Sequence, residues 1–156
     1  MARTEYYRDP DAPRANRIVV AAVAFVQDSD GRVLLIQRSD NDLWALPGGA
    51  QDVGETVSAA AERETLEETG YRVTVTDLIG VYSDPQHVIA YEDGEVRQQF
   101  ALSFRADLVD GQLATSDETP NVAWVSRCDL DRYRIHPSIR LRIEHGFEHR
   151  DKPYLG

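Results

Sequence analysis

The stretch RETLEETG, residues 63–70, carries Glu64, Glu67 and Glu68. It closes a longer segment, TVSAAAERETLEETG (56–70), that reads as a helix. Thr56 suits the N-cap, three alanines favour helical backbone, and Gly70 suits the stop just past the end. At about 100° per residue, with Glu64 at zero, Glu68 falls near +40° and Glu67 near −60°. The three carboxylates therefore share one arc of about 100°, and Ala60 and Ala61 take the same angles one turn earlier, leaving that face unobstructed. Like charges so placed cost a helix roughly 0.2–0.5 kcal/mol per neighbouring pair. Glu67 and Glu68 also stand at the C-terminal, negative end of the macrodipole. A solvated acidic face would intersperse lysines at i+4, and this helix has none. Hard divalent cations resolve the conflict, because Mg²⁺ prefers carboxylate oxygens, keeps several waters and binds substrate phosphates at its open positions.

The charge balance narrows what such a site serves. Seventeen basic residues against 27 acidic ones give a net charge of −10. A phosphate-backbone binder needs concentrated Lys and Arg, so a nucleic-acid polymer is not the expected partner. A small phosphorylated ligand fits if a cation holds it. With 156 residues, one domain with one core is expected. No run approaches the roughly 18 apolar residues of a membrane span. The first sixteen residues lack the apolar stretch of a secretory signal. Cys128 stands alone, which excludes an internal disulfide and fits a reducing, cytoplasmic setting.

Residues 1–16 read as an extended leader in which Pro10 and Pro13 interrupt any helix. Residues 17–150 read as the single domain and 151–156 as a C-terminal tail. RIVVAAVAFVQ (17–27), the turn DSDG and RVLLIQR (32–38) read as a β-hairpin. Residues 39–55 read as a Gly- and Asp-rich loop. Further strands are expected over 71–83, 87–91, 96–109 and 121–126, and a closing helix over 136–147 with Pro137 in its first turn. Strands around one central helix, plus a C-terminal helix, indicate an α/β sandwich with a mixed sheet.

The spacing Gly49-x5-Glu55-x7-Arg63-Glu64-x2-Glu67-Glu68-x-Gly70-Tyr71 resembles the Nudix box, and LPGG (46–49) ahead of it is usual in that family. Thr65 departs from the pattern, which generally has an aliphatic residue there. The resemblance implies a pyrophosphohydrolase acting on nucleoside diphosphates linked to another group. It implies that Glu64, Glu67 and Glu68 hold Mg²⁺ or Mn²⁺, with the Gly48 carbonyl as a further ligand. It also implies that Arg63 pairs with a box glutamate, Glu55 among them, to hold it in position. In some members a box glutamate is the general base; in others a glutamate on a later loop is, and here TSDETPN (115–121) offers Glu118.

Substrate contacts are less constrained by sequence. Some ADP-ribose hydrolysing members carry a proline about fifteen residues past the box, near where Pro85 stands; SDP is also an ordinary turn. Tyr82, His87 and Tyr91 are candidates to contact a base or ribose, with core or rim packing as the favoured role of each taken singly. Arg38 and Arg97 are candidates to reach a phosphate or else face solvent. An ADP-ribose-like diphosphate is favoured, with oxidised nucleoside triphosphates as the alternative substrate. A non-catalytic nucleotide-sugar sensor is the alternative of another class. A monomer and a homodimer are both open.

Overall fold

The computed structural model describes residues 2–156. Its strands are β1 (Arg3–Tyr7), β2 (Arg17–Val26), β3 (Val33–Gln37), β4 (Trp44–Ala45), β5 (Gly48–Ala50), β6 (Tyr71–Tyr82), β7 (His87–Tyr91), β8 (Val96–Gly111), β9 (Asn121–Val125) and β10 (Tyr154–Leu155). Its helices are α1 (Val57–Thr69) and α2 (Pro137–Glu148), with a 3-10 turn over Arg127–Arg132. No helix among the described residues is long and apolar enough to cross a membrane.

The strand β2 organises the molecule. Residues Ala22 to Val26 are all buried, so neither face of this strand is left to water. It runs parallel to β8 from Arg17↔Arg97 to Val26↔Ala106, and β5 pairs antiparallel on its other edge. The large sheet continues through β7 to β1 along one half of β8, and through β6 to β10 along the other. A smaller sheet has the order β4-β3-β9. Parallel and antiparallel pairs coexist, giving the mixed α/β architecture expected.

Successive β2 side chains point to opposite faces of the sheet. Ala22 meets Ala60 and Ala61 of α1 on one face. Phe25 meets Phe147 edge-on at 5.1 Å beyond the other, where Ile143 completes the main core. The two helices therefore cover opposite faces.

Three expectations need correction. The segments 17–27 and 32–38 do not form a hairpin ladder; apart from an isolated Gln27↔Val33 bridge, β2 and β3 belong to different sheets. A strand buried on both faces needs partners on both edges and cover above and below, which a two-stranded hairpin cannot supply. The loop 39–55 contains two short strands, β4 and β5. The α1 face carrying Ala60 and Ala61 is not open, since both residues are fully buried against the sheet. Within the extended segment 1–16, β1 pairs antiparallel with β7 from Arg3↔Tyr91 to Tyr7↔His87. At the other end, β10 adds a parallel pair to β6.

Candidate active site

The helix α1 presents the carboxylates, and its ends are fixed as its sequence indicates. The Thr56 Oγ1 accepts from the Ala59 N–H at 3.1 Å. Gly70 has φ 80° and donates its N–H to the Leu66 carbonyl at 2.9 Å. A side chain there would also meet the Gln112 carbonyl at 2.2 Å, so position 70 requires glycine for both its turn and its close approach. Thr65 is fully buried, and its hydroxyl donates to the Ala61 carbonyl at 2.7 Å, which satisfies the polar atom at a position where the family pattern is aliphatic.

Because the alanine turn of this face lies on the sheet, the next turn leads into a cleft rather than onto open surface. Glu68 accepts the Gly48 N–H at 2.8 Å, and burial, with Glu64 and Glu118 adding repulsion, pushes its carboxyl up to about 8. Glu64 lies against Gly49, where a Cβ would stand 2.6 Å from the Glu64 carboxyl carbon. Burial raises the Glu64 carboxyl as well, against the pull of Arg63. Glu67 is the exposed member, with its side chain 59% accessible.

Arg63 does more than pair with one partner. It donates to both Glu55 oxygens at 2.8 and 3.0 Å, to Glu64 at 2.9 Å and to Glu67 at 3.3 Å. The Arg63 hydrogen bonds hold the Glu55 carboxyl well below the usual carboxylate range. The length of the side chain lets one guanidinium reach Glu55 before the helix and Glu64 and Glu67 on it.

Glu118 stands across the same cleft, a space of about 410 Å³ shared with Glu64, Glu68, Gly48, Gly49 and Arg38. Thr119 secures this loop by donating from Oγ1 to the Glu68 carbonyl at 3.0 Å. The donor set is hard oxygen throughout, converging beside a glycine that leaves room, which fits Mg²⁺ or Mn²⁺. Two of the carboxylates, Glu64 and Glu67, share the Arg63 Nη1. Among the described residues, the one Asp, Glu, His or Cys trio with ligand atoms within 4.8 Å of one another is Glu5, His87 and His136.

A second cleft of about 260 Å³ adjoins the first and shares Gly48, Gly49, Arg38, Arg3 and Tyr91 with it. Its walls include apolar side chains such as Val23, Leu46, Trp44 and Ile139. Arg38 lines both spaces and is bonded in parallel to the two Asp40 oxygens at 2.9 and 2.8 Å. Arg97 lines the second, paired with Glu95 at 2.8 Å and lying 4.6 Å from the Tyr91 ring centre.

Tyr82 is not brought to either of these spaces. Its ring is buried against Tyr154 at 5.1 Å and its hydroxyl meets His145 Nδ1 at 2.7 Å. The even position at the end of β6 faces α2 and the C-terminal residues, not the cleft. Pro85 also lies elsewhere, in a groove formed with residues 8–15. Sequence reasoning missed Arg3, Glu5 and Arg142, all of which line the second cleft. No local pattern marks them; only the β1–β7 register and the packing of α2 bring them together.

Residues 17–145 match the family model of the NUDIX domain. The chain belongs to the Nudix family. A MutT-like protein of Streptomyces ambofaciens is 37% identical over 76% of this chain and 70% of its own length. A Bacillus subtilis protein provisionally named an 8-oxo-dGTP diphosphatase is 38% identical, over 78% of this chain and 75% of its own. An ADP-ribose pyrophosphatase of Methanocaldococcus jannaschii is 37% identical over 62% of this chain, which spans 56% of that protein. Among solved structures, a Nudix hydrolase from Nitrosomonas europaea superposes with TM-score 0.72 at 24% identity, covering 90% of this chain and 77% of that one. The protein is thus a Nudix hydrolase, a pyrophosphohydrolase by family, and Nudix enzymes use a divalent metal.

Proposed function

We propose that this Nudix hydrolase is a Mg²⁺- or Mn²⁺-dependent enzyme that splits the diphosphate of a nucleoside diphosphate linked to another group, with ADP-ribose as the representative substrate. The observation that carries the reading is the junction of two unlike spaces at Gly48 and Gly49: an acidic one with Glu64, Glu68 and Glu118, and an apolar one edged by arginines. A diphosphate bridging them would set its phosphates at the carboxylates and its nucleoside along the apolar walls.

When bound, the cation screens the diphosphate charge and makes a water a better nucleophile at phosphorus. Glu64 and Glu68, with the Gly48 carbonyl and Glu67 at the rim, are the residues that would hold it. Arg63 orients Glu64 and Glu67, and Glu55 anchors Arg63. Glu118 is the residue we assign to take the proton of the attacking water or to complete the ligand set. Arg38 is placed to steady a phosphate oxygen, and Arg97 to meet the far end of the substrate.

The alternative, removal of pyrophosphate from an oxidised nucleoside triphosphate, draws support from the name of the Bacillus subtilis relative. Product analysis separates the two. With Mg²⁺ and ADP-ribose the enzyme should release AMP and ribose 5-phosphate; with a triphosphate it should release a monophosphate and pyrophosphate. Faster turnover of 8-oxo-dGTP than of ADP-ribose would reverse the preference, and no turnover of either with Mg²⁺ or Mn²⁺ would defeat the proposal. The acidic balance argues against a polymer of nucleotides as partner, and sedimentation would decide between monomer and homodimer.

A further inference from the structure

Arg142 is the residue of the second cleft whose chemistry the preceding roles leave unused. It is 2% exposed, and its Nε has no hydrogen-bond partner among the described residues. A buried cation without a matched anion is costly, and a well-packed apolar residue would generally serve the fold as well. The guanidinium lies 5.1 Å from the Tyr82 ring centre, and burial lowers its pKa to about 10, which leaves it charged at neutral pH. The carboxylate whose charge reaches it is Glu5.

Glu5 comes from β1, outside the matched family region of residues 17–145. Alternate residues of a strand share a face, and Arg3 and Glu5 both line the second cleft. One Glu5 oxygen, Oε1, meets His87 Nε2 at 2.5 Å and His136 Nε2 at 3.8 Å. The other oxygen has no partner among the described residues. Tyr7 packs edge-on against both imidazoles, at 5.3 and 5.2 Å, and so fixes the group from behind.

This trio has the spacing of a metal site, but one bond opposes that use. His136 Nδ1 accepts the Ser138 N–H at 3.2 Å at the start of α2. A backbone N–H only donates, so the neutral ring carries its proton on Nε2, the atom that faces Glu5. That nitrogen has no lone pair for an ion. The floor is instead an acceptor, Glu5, and a donor, Arg142, of opposite charge. Arg3, Arg38 and Arg97 at the edge are paired with Asp40 and Glu95, so the floor is set by Glu5 and Arg142. Their opposite charges favour a neutral group with a donor and an acceptor side by side over a further phosphate. A flat heterocycle between the apolar walls has that form.

We propose that Glu5 of the amino-terminal strand and Arg142 of α2 together read the donor–acceptor edge of the substrate's nucleobase. This deepens the proposed function and rests on it for the position of the diphosphate. The test uses the full chain, with Glu5→Gln and Arg142→Met, on ADP-ribose, GTP and a ribose 5-triphosphate that lacks a base. In wild type with Mg²⁺, at least one base-bearing substrate should have the lower KM. In each variant that KM should rise at least about 10-fold towards the baseless value, while turnover of the baseless substrate stays unchanged. Equal loss on both kinds of substrate, or no change on either, would overturn the proposal.

A readout without catalysis keeps this separate from the proposed function. Wild type should bind adenosine or guanosine, which have no phosphate, and should not bind ribose; both variants should lose that binding. If wild type hydrolyses nothing yet binds a nucleoside that the variants do not, the base site stands and the hydrolase reading falls. If wild type binds neither nucleoside, or the variants bind equally well, the base site falls whatever the turnover. Thermal melting identifies a misfolded variant, and the Glu5→Gln protein, which retains shape and one acceptor oxygen, then decides.

Discussion

The Gly48 N–H donates to Glu68 Oε1 at 2.8 Å, joining the strand β5 to the last turn of α1. The residue before the box thus presents one backbone group to a carboxylate that burial and like charge both disfavour. Replacing Glu68 with Gln keeps the shape and an oxygen acceptor for Gly48, and removes the charge. We expect kcat with Mg²⁺ to fall at least about 10²-fold while circular dichroism and melting remain those of a folded protein. Turnover at the wild-type level would count heavily against a role for Glu68 in the chemistry.

The same carboxylate links stability to pH when no divalent cation is present. Its folded value of about 8 lies above the ordinary 4.5. Between those values the folded state holds a proton that the unfolded state has released. Stability from this group is therefore complete below about 4.5 and is lost as pH rises through about 8. Glu64, also raised, adds to the trend. With a chelator present, Tm should fall between pH 6 and pH 9, and Glu68→Gln should flatten that fall. Added Mg²⁺ should release protons near pH 7, measurable in a weakly buffered titration, because the ligand form is the ionised one.

Gly49 faces a different constraint from Gly70. A Cβ at position 49 would meet only the Glu64 carboxyl group within 3.0 Å, the end of a flexible side chain. Gly49→Ala should consequently displace Glu64 and leave the backbone in place. The expected result is a rise of at least about 10-fold in the Mg²⁺ concentration for half-maximal turnover, with Tm within a few degrees of wild type. A large loss of Tm with normal Mg²⁺ dependence would show that the glycine serves packing instead.

Arg63 binds Glu55 through two parallel bonds, a geometry that lysine cannot copy. Arg63→Lys should lower kcat by freeing Glu64 and Glu67, yet change Tm little, because partly exposed ion pairs add little to stability. Metal titration should show weakened Mg²⁺ dependence in the same variant. Unchanged kinetics would mean that the glutamates hold their places without the guanidinium.

How far these relationships could be read from the chain depends on their range in sequence. The helix α1 was legible to its caps, because Thr56 and Gly70 act on atoms within four residues of themselves. The box spacing likewise identified Glu64, Glu68 and their neighbours as one group. The pairing of β2 was not legible: RIVVAAVAFVQ is as apolar as a hairpin strand, and only its parallel register with β8, some 80 residues away, makes it central. For Tyr82 the sequence left ligand contact and core packing both open, and strand parity decides for packing by turning it towards His145 and Tyr154. Arg3, Glu5 and Arg142 carry no local signal at all. Their meeting depends on the amino-terminal strand joining β7 and on a helix near the other end of the chain.

Thr65 offers the last test, since it departs from the pattern of the box without disturbing it. Its hydroxyl donates to the Ala61 carbonyl one turn back, and Thr69 does the same to the Thr65 carbonyl at 2.6 Å. Such bonds satisfy a buried hydroxyl inside the helix. The Thr69 hydroxyl also accepts the Tyr71 N–H of β6 at 3.1 Å, whereas the Thr65 hydroxyl makes no hydrogen bond outside α1. Valine has nearly the same shape and no polar atom to satisfy, while the Ala61 carbonyl retains its helical position. Thr65→Val removes one intrahelical hydrogen bond and should therefore leave kcat and KM unchanged and shift stability by less than about 1.5 kcal/mol, in either direction. Larger destabilisation in a denaturant titration would mean that the hydroxyl, and not only its volume, holds the carboxylate turn against the sheet.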